Sequence, residues 1–193
     1  MKSLSNGITD ILIESGAVPE CKRKLYHYCI SGIVEMGANL LITLAFGLVL
    51  GRFVETLLFL LIMLPFRTIA GGYHADSGRA CFVISLLVYG TTLLLSSIWA
   101  SFGSYIYSIG LYIISVTVML VLTPVDSKNK RLNANMKRKQ KIKCLRLLLL
   151  FSVLFSLFCL INIRSFAFLM SCCMAAVAAL LVAGKIKNYR SGV

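Results

Sequence analysis

Six apolar segments, at about 32–50, 53–66, 82–100, 104–123, 145–163 and 165–184, run through this chain with mostly short polar breaks between them. An α-helix rises 1.5 Å per residue, so ~20 apolar residues are needed to cross a bilayer's hydrocarbon core. Most of the segments approach that length. The second reaches it only by running on toward Ala70, which sets Arg67 near an interface. The sequence therefore predicts an all-α integral membrane protein with about six transmembrane helices, or four if the weaker segments lie at the interface. With 59% of 193 residues hydrophobic and only 14% charged, little chain remains for a soluble module. A single domain over 1–193 is expected.

Ahead of the first span, residues 1–31 read as an amphipathic interfacial segment. Leu4, Ile8, Ile11 and Leu12 recur at helical spacing, with Asn6, Asp10 and Glu14 on other faces. Lys22, Arg23 and Lys24 then stand beside Tyr26 and Tyr28, a basic and aromatic pairing suited to a headgroup region. The alternative is a cytoplasmic helix packed on the protein's own loops. No cleavable signal peptide is expected, because about thirty mixed residues precede the first span.

Charge orients the spans. Tested against six crossings, one side collects Lys2, Lys22, Arg23, Lys24, Arg67, Arg79, the cluster from Lys128 to Arg146, Lys185, Lys187 and Arg190. The other side holds Arg52 and Arg164 in short turns. Basic residues favour the cytoplasmic side, so both termini are expected there. The largest loop, about 124–143, carries Lys128, Lys130, Arg131, Lys137, Arg138, Lys139, Lys141 and Lys143 against one acid, Asp126. It reads as a contact for anionic membrane lipids, as a docking surface for an acidic partner, or as both. The formal net charge of +13 does not point to nucleic acid, since the basic segment lacks interleaved aromatics.

The seven cysteines form no framework of paired spacings, so structural disulfides are not expected. Cys144, Cys159, Cys172 and Cys173 read as small residues of apolar helices. His27 and Cys29 near Cys21 match no standard zinc spacing, and neither a metal nor a cofactor is expected.

One polar, glycine-broken island interrupts the apolar pattern, Arg67 to Cys81, within a stretch of about 65–81. Ionisable groups are expensive near hydrocarbon, and where they persist they mark function. A thiol and an imidazole together point to nucleophilic catalysis, with His74 taking the proton from Cys81 and returning it to a leaving amine. In one straight helix these two residues would lie about 10 Å apart along the axis. A working dyad needs a bend, for which Asp76, Ser77 and Gly78 supply turn formers. Gly71 and Gly72 permit close backbone approach and could offer amides to an oxyanion. Arg67 suits three roles: stabilising a thiolate, holding a substrate carboxylate, or bracing the loop. Asp76 either orients His74 or forms an ordinary turn. The competing reading is a non-enzymatic membrane protein, a peptide exporter or scaffold, with a structural His/Cys kink. A membrane thiol acyltransferase is a third.

Arg67, Gly71, Gly72, His74, Ala75 and Cys81, with Pro124-Val125-Asp126 and Asn129-Lys130, closely resemble the signature of the accessory gene regulator B family. The resemblance covers nearly the whole chain; Arg131 stands where the family pattern often has proline. It implies a membrane-embedded cysteine endopeptidase of the bacterial cell membrane, with Cys81 as nucleophile and His74 as base. It further implies a quorum-sensing propeptide with an amphipathic N-terminal part and an acidic C-terminal tail. The tail would be released through an acyl-enzyme, and the signal segment would close to a thiolactone or lactone. A homodimer is also implied.

Overall fold

The apolar segments form helices throughout. The structure, a computed structural model, describes residues 2–73, 78–102, 104–125 and 134–190. In chain order these are α1 (Lys2–Glu14), α2 (Arg23–Val49), α3 (Phe53–Ile69), α4 (Gly78–Phe102), α5 (Tyr105–Leu122), α6 (Ala134–Leu160) and α7 (Arg164–Arg190), with a 3-10 turn at Glu20–Lys22 before α2. There is no strand among the described residues. Five helices, all but α1 and α3, are long and apolar enough to cross a membrane. The expectation of an all-α membrane protein with about six long helices holds.

α3 is the short span at 17 residues, ~25 Å at the helical rise. Pro65 within it has no amide for the Leu61 carbonyl, which weakens the ladder just before Arg67. Its inward stripe is Phe59, Ile62, Met63 and Phe66, spaced i, i+3, i+4, i+7 and all buried. Arg67 follows that stripe directly and is half-buried. Phe66 packs on Phe151 of α6 with ring centroids 5.5 Å apart.

α7 is the central helix. In its most apolar stretch 61% of residues are buried, against 11–22% in the other four spans. Ala167, Ser171, Cys172, Cys173 and Ala178 lie on it and are buried. Small side chains let helix backbones approach closely, which matters in lipid because packing rather than the hydrophobic effect drives helix association. α7 packs against α3, α4, α5 and α6. Ser108 of α5 donates to the Ser171 hydroxyl at 3.1 Å across one of these contacts. Of the cysteines expected to be small packing residues, Cys144, Cys172 and Cys173 are buried and Cys159 is half-buried, and all seven cysteines are free.

At the opposite end from the island, Gly51 turns the chain from α2 into α3 at φ 65. Arg52 pairs with Glu55 at 3.2 Å, donates to the Leu93 carbonyl at 3.3 Å, and bonds Ser97. The Thr56 hydroxyl donates to the Arg52 carbonyl at 2.8 Å and meets the Tyr89 hydroxyl at 2.7 Å. These bonds tie the α2–α3 turn to α4.

Two boundaries differ from the sequence reading. The expected interfacial segment 1–31 divides: α1 is a separate helix packed on α2, whereas residues from Arg23 onward already belong to α2. Arg23 reaches Asp10 at 2.5 Å and Glu20 at 2.9 Å, so part of the basic anchor joins α1 to α2. The loop expected over 124–143 also ends early, because α6 begins at Ala134. Its cationic stretch is compatible with a helix, since Lys, Arg and Gln are good helix formers.

Candidate active site at the junction of α3 and α4

The chain leaves α3 at the buried Ala70 and turns through Gly71 (φ 80) and Gly72 (φ 127). L-residues rarely adopt such angles, so glycine meets a real requirement at both positions. Three segments of the chain converge on this turn. The Ala70 carbonyl accepts from the Val125 amide at 3.0 Å, which fastens the end of α3 to the strap after α5. A Cβ on Gly71 would lie 2.6 Å from the Val125 carbonyl oxygen, so the strap presses on the turn.

The third segment is the C-terminal part of α7. The Tyr73 amide donates to the Leu180 carbonyl at 2.9 Å. A Cβ on Gly184 would come within 2.5 Å of the Gly72 carbonyl carbon and 2.8 Å of the Tyr73 amide nitrogen. The Lys187 ammonium stands 5.0 Å from the centre of the Tyr73 ring, in cation–π range. Met63, Arg67, Gly71, Tyr73, Val177 and Leu180 line a narrow cleft beside the turn.

Arg67 and Cys81, fourteen positions apart, meet across this turn. One guanidinium nitrogen of Arg67, Nη2, lies 3.4 Å from the Cys81 sulfur and 3.4 Å from the Tyr73 carbonyl oxygen. Arg67 is thus near both the sulfur and the loop backbone. Cys81 is half-buried in the first turn of α4, at the partially positive end of the helix dipole. A permanent cation and a helix N-terminus therefore both lie beside this sulfur. Cys21 and Cys29 are exposed, whereas Cys144, Cys172 and Cys173 are buried in apolar surroundings. Cys81 instead is partly accessible and stands beside a cation, a setting in which a thiol can act as a nucleophile.

His74 and Asp76, expected as base and as orienting or turn residue, lie outside the described residues. So do Lys128, Lys130 and Arg131 of the expected docking loop. Lys137, Arg138 and Lys139 occupy the first turns of α6, with Arg138 and Lys139 exposed and Lys137 half-buried. The sequence reading counted Lys187 only in the charge asymmetry and did not single out Leu180, Gly184 or Tyr73. Gly184 and Leu180 sit in an apolar helix where spacing alone announces nothing. Val125 appeared only as part of the Pro124-Val125-Asp126 motif, whose physical contact with Gly71 sequence does not reveal.

The family model for Accessory gene regulator B (AgrB) matches residues 5–192. AgrB-like protein 2 of Clostridium perfringens (strain 13 / Type A) is 24% identical over 127 residues, covering 63% of this chain and 59% of that relative. The match thus spans less than two thirds of the relative's length. No solved structure matches the chain at a significant level. With nearly all of its residues matched, including the turn that joins Arg67 to Cys81, the chain belongs to the accessory gene regulator B family.

Proposed function

We propose that this multi-pass membrane protein is a thiol endopeptidase that matures a quorum-sensing propeptide. Family membership supports a role in processing the peptide of that system. The observation that carries the thiol chemistry is the Cys81 sulfur at a helix N-terminus, 3.4 Å from the Arg67 guanidinium. The Cys81 thiolate attacks the carbonyl at the end of the signal segment. His74 holds the thiol proton and gives it to the departing amine, releasing the acidic tail and leaving a thioester on Cys81. A thiol or hydroxyl inside the peptide then attacks the thioester, closes the ring and returns the sulfur to the enzyme.

Exchange of the Cys81 thioester for a thiolactone is close to neutral, so the uphill part of the reaction is conversion of the peptide bond to the first thioester, which departure of the released tail must draw forward. An internal nucleophile held close outcompetes water through its effective concentration, and an apolar setting suppresses hydrolysis further. The surroundings suit such a substrate. An amphipathic peptide lies on the inner leaflet, and the cationic first turns of α6, with Lys137, Arg138 and Lys139, suit an acidic tail and anionic headgroups. In this reading the site faces the cytoplasm, Lys128, Lys130 and Arg131 add to the docking charge, and the protein works as a homodimer.

The test is cleavage of the propeptide by full-length protein in liposomes. Cys81→Ala and His74→Ala should each abolish it while membrane insertion stays normal. Cleavage at the usual rate by Cys81→Ala would end the proposal in favour of a structural cysteine.

A further inference from the structure

We propose that the C-terminal part of α7, through Gly184 and Lys187, is the positioning element that holds Arg67 against Cys81; the idea rests on the thiol reading above. Tyr73 is the link. Its amide is bonded to Leu180 of α7 at 2.9 Å, its ring lies under Lys187, and its carbonyl is 3.4 Å from Arg67. The same Arg67 nitrogen reaches Cys81. Whatever fixes Tyr73 therefore fixes the direction in which the guanidinium points.

Gly184 permits this docking. It lies inside a helix, where alanine would be conformationally free to replace it. What excludes a side chain is the backbone of Gly72 and Tyr73, at 2.5–2.8 Å from the position of a Cβ. Those are backbone atoms, so the loop as a whole must retreat. Gly110 of α5 provides the contrast, with nothing within 4 Å of an added Cβ. Lys187 adds a second contact from the same turn, and arginine in its place would keep a cation over the ring.

The experiment is iodoacetamide alkylation of Cys81 in the full-length protein, followed by mass spectrometry of the peptide that contains it, so that the other six cysteines do not interfere. Gly184→Ala should slow alkylation on the order of tenfold, as expected when a charge-assisted contact to the sulfur is lost. Gly110→Ala should react at the wild-type rate. Lys187→Gln should slow the reaction, and Lys187→Arg should restore most of it. In an Arg67→Gln background, Gly184→Ala and Lys187→Gln should add nothing, because the guanidinium they position is absent. Wild-type alkylation by both Gly184→Ala and Lys187→Gln would overturn the inference, as would full additivity with Arg67→Gln. Should Gly184→Ala fail to fold, the Lys187 pair decides alone. Propeptide cleavage by the wild-type protein, measured alongside, tests the thiol reading separately.

Discussion

One nitrogen of Arg67 makes two contacts, one to the Cys81 sulfur and one to the Tyr73 carbonyl. Hydrogen bonds to charged groups contribute about 1.5–3 kcal/mol, so Arg67→Ala should lower propeptide cleavage by roughly 10- to 100-fold. Arg67→Lys keeps the charge but loses the planar fork and should recover only part of that rate, as steady-state cleavage assays would show. Gly71→Ala meets two obstacles, a left-handed φ costing about 1–2 kcal/mol and the Val125 carbonyl at 2.6 Å. It should lower thermal stability and cleavage together. Much of this residue set was legible in the sequence, because a polar, glycine-broken run stands out among apolar spans. The pairing stood there only as one of three roles open to Arg67. Arg67 and Cys81 lie on different helices and meet across the turn that begins at Gly71 and Gly72. Gly184 was illegible for a plainer reason: its role lies in what it leaves room for.

At the scale of elements, α6 changes how the basic segment acts. Lys137, Arg138, Lys139 and Lys141 ride on one helical stretch rather than a slack loop, so their charges are held at defined positions. Replacing all four by glutamine should weaken processing of an acidic-tailed propeptide, with the larger loss at low ionic strength, where screening is least. Unchanged cleavage across a salt titration would assign the cluster to lipid contact instead. Sequence periodicity marked the apolar half of α6, but the cationic half carries no hydrophobic repeat and was read as loop. α2 shows the same effect, beginning at Arg23 because the helix continues through polar residues that a hydropathy window discounts. α1 was legible from its amphipathic spacing, while its ion pair with Arg23 joins residues 13 apart and was not.

Over the whole molecule, the six long helices followed directly from the apolar pattern, whereas the central place of α7 did not. Burial in lipid is decided by small residues meeting across helices, and hydropathy scores lipid-facing and helix-facing positions alike. α3 decides the topology. With it, six crossings put both termini on one side; were it re-entrant, five would put them on opposite sides. Tags at each end should both become accessible to an impermeant reagent only after the membrane is opened, as the positive-inside bias requires. Tags on opposite faces would make α3 re-entrant. On the proposed mechanism, Cys81 carries the peptide during processing. The most direct test is acid quench of the full-length protein in liposomes with a radiolabelled propeptide, followed by electrophoresis with and without hydroxylamine. A labelled, hydroxylamine-labile adduct should form on Cys81 and be absent from Cys81→Ser, whose oxygen could form only a more resistant ester. Cleavage of the propeptide with no adduct at any time point, or an adduct that persists in Cys81→Ala, would contradict that mechanism.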